Sequence, residues 1–178
     1  MKIDVTLEIT PKMVQDAQGH DKKSLSGHLG THFDVMNKEF PLEYTQRRGI
    51  VFDVSGIKDR DIGVFDVDLE KVPADSFVMF YSGFIEEEGY GSARYFKEHP
   101  QLSDELIEKS LIGVDFAGIR RGREHPVKDQ YCADHGVFVI ENMCNLKELL
   151  NKDVIMNTYP MRYQGMTGLP CRVVAETM

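Results

Sequence analysis

Apolar and polar residues change places over short distances along this chain. Alternating or wholly apolar runs recur at residues 2–9, 49–54, 64–67, 76–81, 111–115, 136–140, 154–158 and 172–175. A period of two and a length of four to eight residues predict strands for most of them. Helical periodicity is rarer. Ser103 can cap a helix over 104–110, with Asp104 and Glu105 in its first turn and Leu106, Ile107 and Leu111 on one side. Asn145 can cap 146–150, where Glu148 stands at the third position as in a capping box. More sheet than helix predicts a mixed α/β fold, and 178 residues fit one domain spanning 1–178.

The connecting segments carry fewer signals. Glu86-Glu87-Glu88, followed by Gly89 and Gly91, reads as a solvated loop, and 90–100 places Tyr90, Tyr95 and Phe96 among polar residues, as a loop that packs over a pocket or anchors to the core. A net charge of -8 argues against a nucleic-acid partner, since Arg120, Arg121 and Arg123 form the one basic cluster. No 18-residue apolar run and no apolar leader region occur, so a cytoplasmic protein without a membrane partner is expected. Cys132, Cys144 and Cys171 are odd in number and form no CxxC pair, which favours buried thiols over disulfides or a zinc ribbon. A nucleophilic Cys132 beside His135 is the lesser alternative.

Candidate chemistry concentrates in His28-Leu29-Gly30-Thr31-His32-Phe33-Asp34, which gathers two of the chain's six histidines and a carboxylate around a glycine. Zinc, manganese and iron accept these donors. Gly30, Thr31, Phe33 and Val35 disfavour a helix, so the segment reads as extended. Full extension would set two imidazoles four residues apart by about 13 Å, too far for comfortable sharing of one ion, so the chain is expected to bend at Gly30.

This segment resembles the cyclase family of metal-dependent hydrolases, to which kynurenine formamidase and isatin hydrolase belong. The family pattern H-x-G-[TA]-H-x-D-x-P-x-H is met by His28, Gly30, Thr31, His32 and Asp34. Asp4-Val5-Thr6 is similar to the family's opening, and the run from Gly136 through Glu141-Asn142 to Asn145-Leu146 is similar to its late Glu-Asn-Leu-x-Asn-Leu motif. Phe80-Tyr81-Ser82-Gly83-Phe84 and Ile112-Gly113-Val114-Asp115 are weaker echoes. The resemblance implies a swivelling β/β/α fold, a homo-oligomer of two or four copies, and one or two divalent ions, zinc or manganese. It implies His28, His32, Asp34 and Glu141 as metal ligands. The family's acid-base histidine falls on Lys38 and its proline on Met36. Twelve residues before Glu141, where the family has a further ligand histidine, this chain has Asp129, with His125 and His135 flanking it as substitutes.

These departures bear on the chemistry. An ion can activate water and polarise a carbonyl, but the leaving nitrogen also needs a proton. Lys38 can act as an acid, and as a base only if burial or the ion lowers its pKa by several units; Glu39 is the second candidate. Asp129 as a ligand makes the site richer in oxygen and moves its preference from zinc toward manganese or iron. Asp34, with two oxygens, can bridge two ions. His20 and His99 read as loop residues, Arg120 and Arg121 as a solvated turn before an anion site, and Asp115 as a structural hydrogen-bonding group. The expected function is hydrolysis of a small, possibly cyclic amide by a metal-activated water. The alternatives are a binding module that keeps the ion without turnover, and a purely structural metal site, which an open carboxylate-rich set fits less well.

Overall fold

A computed structural model describes residues 1–18, 26–107 and 111–178. His20 and the last residues of the helix expected over 104–110 lie outside the described residues. Eight strands form one sheet: β1 (Lys2–Asp4), β2 (His32–Asp34), β3 (Gln46–Asp53), β4 (Phe77–Tyr81), β5 (Leu111–Val114), β6 (Val139–Glu141), β7 (Val154–Pro160) and β8 (Gly168–Thr177). Their order is β1-β8-β2-β6-β5-β4-β3-β7, and a further β7–β8 pairing closes seven of them into a mixed barrel, with β1 alongside β8. Steps β3–β4, β4–β5 and β5–β6 are parallel, and parallel neighbours need crossovers. The helices α2 (Phe84–Glu88), α3 (Ala93–Glu98) and α4 (Asp104–Ile107) lie between β4 and β5, α5 (His125–Asp134) lies between β5 and β6, and α1 (Pro11–Ala17) follows β1. No described helix is long and apolar enough to cross a membrane.

Strand alternation sorts the apolar residues into two cores. Phe33, Phe77, Met79, Ile140, Val154 and Val173 pack inside the barrel. Val78, Phe80, Ile112, Val114 and Val139 face outward, where Leu106 and Ile107 of α4 and Cys132 of α5 cover them. On β2 the register sets Phe33 against Ile140, Asp34 against Val139 and His32 against Glu141. His32, Asp34 and Glu141 therefore share the outward face of Val139, beneath α5. The bend expected at Gly30 is present: its φ is +72°, and a Cβ there would come within 2.3 Å of Ile9 Cδ1.

Several local expectations are corrected. Residues 64–67 form no strand; Val64–Asp66 is a tight 3-10 turn, held where Asp66 accepts from Gly63 N and pairs with Arg60. Leu146–Leu149 forms a 3-10 turn rather than a capped α-helix over 146–150, because Asn145 adopts φ 57° and spends its amide on Asp4 O. Glu86 to Glu88 belong to α2 rather than a loop. The longest helix among the described residues, α5, went unanticipated because its buried face carries Asp129 beside Cys132 and Ala133, which blurs the apolar period.

Phe33, fully buried between the two ligand-bearing positions of β2, gives a direct check on this packing. Phe33→Ala is expected to cost about 3–5 kcal/mol of unfolding free energy, read from the urea midpoint. A loss below about 1 kcal/mol would mean that β2 is not packed as described.

Candidate metal centre

Three elements meet at the outer face of the sheet. His28 precedes the Gly30 bend, His32 and Asp34 lie on β2, Glu141 ends β6 opposite His32, and His125 and Asp129 sit one turn apart on α5. Two donor groups result, with Asp34 common to both: His28, His32 and Asp34; and Asp34, His125, Asp129 and Glu141. Within each group one ligand atom per residue lies within 4.8 Å of every other.

In the first group His28 Nδ1 and His32 Nε2 are 3.0 Å apart, and Asp34 Oδ1 is 3.0 Å from the former and 3.4 Å from the latter. The outer ring nitrogens are already engaged. His32 Nδ1 donates to Gly30 O at 2.8 Å, and His28 Nε2 lies 2.8 Å from Thr167 Oγ1 in the segment between β7 and β8. Such contacts fix ring orientation and leave the inner nitrogens to face the carboxylate. In the second group His125 Nε2 is 2.9 Å from Glu141 Oε1 and 3.0 Å from Asp129 Oδ2. Gly118 makes room for that imidazole, since a Cβ there would lie 2.6 Å from its Cε1.

Burial makes this gathering costly. Asp34, Asp129 and Glu141 are 1%, 4% and 4% exposed, and neither Asp34 oxygen nor Asp129 Oδ1 accepts a hydrogen bond. The contacts of Asp34 with the imidazoles are close but lack hydrogen-bond alignment. A buried carboxylate with unmet oxygens is costly, and the donor chemistry fits a divalent cation. Protons record the same pull. Burial would lower the His32 pKa, yet the charges of Asp34 and Glu141 outweigh it and push it up to about 9. Burial likewise opposes a charged His125, and Glu141 and Asp129 push it up to about 12. Asp129 rises to about 8 through burial and the Asp34 charge. Burial would raise Asp34, but the imidazoles hold it well below the usual carboxylate range.

All five residues expected as ligands, His28, His32, Asp34, Asp129 and Glu141, are brought together. His125 joins them beside Asp129 rather than in its place, whereas His135 turns away to Tyr131 O. Lys38 does not join the group. Met36 adopts φ 54°, a conformation closed to the proline of the family pattern, and the turn leaves Lys38 39% exposed with its Nζ 2.7 Å from Asp134 Oδ1. Glu39 is exposed as well. Asp115 holds a structural role, accepting from Ser82 N, Ser82 Oγ and Gly83 N. Arg120 is no solvated residue: it is buried and pairs with Asp61 and Asp104. His99 is buried against Phe116. The Cys132 thiol, pushed up to about 12 by burial, is no nucleophile at neutral pH. Sequence reading missed Thr167, which is distant in the chain, and the reach of Tyr90 and Tyr95 toward Gly30 and Asn142.

The family model Cyclase, described as "Putative cyclase", matches residues 3–118. No curated protein matches the chain. Among solved structures, a "potential metal-dependent hydrolase with cyclase activity" is 22% identical, with a TM-score of 0.76 over 98% of this chain and 96% of that one. A "predicted metal-dependent hydrolase" from Bacillus stearothermophilus is 20% identical, with a TM-score of 0.73 over 98% and 97% of the two chains. Isatin hydrolase A from Ralstonia solanacearum is 16% identical, with a TM-score of 0.73 over 98% and 91%. At these identities the likeness is one of fold.

The raised pKa values set a sign for pH dependence. A group whose folded pKa exceeds its unfolded value stabilises the fold below the unfolded value and loses that contribution as pH rises through the folded one. For His32 that window runs from 6.5 to about 9, and Asp129, raised from 3.8 to about 8, adds to it. The metal-free protein is therefore expected to lose thermal stability from pH 6.5 to 9. Added Mn2+, which competes with those protons, is expected to raise Tm more at pH 8.5 than at 6.5. Thermal unfolding with chelator and with Mn2+ checks both, and a metal-free Tm that climbs over this range would contradict the site.

Proposed function

Since the chain belongs to the Cyclase family, we propose that it is a metal-dependent hydrolase that opens or cleaves a small amide, cyclic ones included. The observation that carries this reading is Asp34, buried with both oxygens unmet between two imidazoles on one side and His125, Asp129 and Glu141 on the other. A divalent ion bound there supplies Lewis acidity toward a carbonyl oxygen and lowers the pKa of a water toward neutrality. His28, His32 and Asp34 would hold one ion. The second group, with one nitrogen and three carboxylates, would hold another and favours manganese over zinc. Thr167 and Gly30 orient the two imidazoles of the first group. With only the first ion bound, His125 and Asp129, rather than the surface-paired Lys38, would be free to keep a proton beside the reacting amide.

The substrate is a small molecule rather than nucleic acid or membrane, in keeping with the net charge of -8. We place the enzyme in the cytoplasm as a homo-oligomer of two or four copies. One observation favours the second reading, a metal- or ligand-binding module without turnover: the position of the family's acid-base histidine is here a surface ion pair, Lys38 with Asp134.

Metal analysis followed by assays on N-formylkynurenine, isatin and simple cyclic amides separates the two. On the enzyme reading, His32→Ala and Asp34→Asn each lower kcat/KM by more than about 100-fold. Lys38→Ala is expected to stay within about threefold of the parent, as for a surface pair. Bound metal with no turnover on any of these amides would leave the module as the function.

A further inference from the structure

One carbonyl aims His32. The ring donates from Nδ1 to Gly30 O at 2.8 Å, which turns Nε2 toward Asp34 and Glu141. Gly30 O takes a second hydrogen bond, 2.9 Å from Asn142 Nδ2, and Gly30 N donates to Tyr90 Oη at 3.1 Å. Asn142 is itself committed on several sides. Its Oδ1 accepts from Tyr95 Oη at 2.8 Å, its carbonyl accepts from Thr31 Oγ1 at 2.7 Å, and its N donates to Phe116 O at 3.1 Å. Tyr95, Asn142 and His32 are 0%, 2% and 1% exposed, so water cannot easily replace a lost link.

The Asn142 amide is the hinge of this chain. An amide turned over is nearly the same shape, but its oxygen would then face the Gly30 carbonyl, and two acceptors would oppose each other in a dry place. The Tyr95 hydroxyl, donating to Oδ1, favours the orientation that leaves NH2 for Gly30. Tyr95 is in turn fixed from its own element: Ser92 Oγ accepts its N–H at 2.9 Å at the start of α3, and its ring packs 5.8 Å from Phe84 and 5.6 Å from Tyr90. The segment from Tyr90 to Tyr95 thus grips Gly30 at both its amide and its carbonyl, the latter through Asn142.

We infer that Tyr95 and Asn142 are positioning residues for the metal centre, holding His32 Nε2 toward the cation through the Gly30 carbonyl, so that the crossover from β4 to β5 sets cation affinity. This rests on the proposed metal-dependent function. Neither residue supplies a donor atom to the ion in this account; each acts through the ring of His32.

Tyr95→Phe keeps the buried ring and removes only the hydroxyl, and Asn142→Asp removes the donor to Gly30. Titration of the metal-free protein with Mn2+ and with Zn2+ is expected to show affinity about 10–100-fold weaker in each variant, the range found for second partners of ligand histidines. Val154→Ala, which opens a cavity inside the barrel, in the core that holds neither Tyr95 nor Phe84, serves as the stability control. It is expected to lower Tm yet bind within about twofold of the parent, so a general loosening would be recognised. A second readout needs no metal: exchange of the His32 Nδ1 proton, followed by NMR with chelator present, is expected to quicken about tenfold or more in Tyr95→Phe. Parent-like affinity in Tyr95→Phe, with the parent binding metal, would overturn the inference and leave the hydrolase reading intact. A parent that binds no cation would overturn that reading, and unchanged proton exchange in Tyr95→Phe would then dispose of the positioning role too.

Discussion

Three carboxylates, Asp34, Asp129 and Glu141, are held together out of water, and every other feature of the site answers to that. Like charges at such separations repel strongly where the dielectric is low, and burial adds a desolvation cost for each. Two imidazoles of raised pKa, His32 and His125, offset part of this with protons. Even so, both oxygens of Asp34 and one of Asp129 accept no hydrogen bond. A doubly charged ion answers the same need with one particle and takes the imidazole nitrogens as donors.

A chain of marginal stability can hold such a cluster only if rigid elements enforce it. Closure of the barrel through β7 and β8 leaves β2 paired on both sides, to β6 and to β8, although it is only three residues long. That pairing sets His32 beside Glu141, and a slip of one residue would turn His32 and Asp34 into the barrel and Phe33 out. The facing wall comes from α5, the crossover between the parallel strands β5 and β6, which carries His125 and Asp129 over the same face. Gly30 and Gly118 are glycines because an Ile9 side chain and the His125 ring occupy the space of their Cβ atoms.

How much of this could be read from residues alone varied by element. His28, His32 and Asp34 were legible because their order is short-range: a bend at Gly30 is all that is needed to make them converge, and the bend is there. Glu141 and Asp129 were legible through resemblance to a family, since nothing local ties residue 141 to residue 32. Lys38 misled because position in a pattern says nothing of φ, and the left-handed Met36 sends the chain toward Asp134. The α5 helix was hidden by its buried polar residue, as Asp129 occupies a position where a packing residue would have shown the period. Tyr95, Asn142 and Thr167 reach the site by tertiary contact, over separations that no window of sequence spans.

A cation bound around Asp34 would complete the cluster, and anomalous scattering from crystals grown with Mn2+ or Zn2+ would reveal it. A peak is expected about 2.0–2.2 Å from nitrogens of His28 and His32 and an oxygen of Asp34. Ordered side chains in the arrangement described, with no peak among them at millimolar metal, would contradict it.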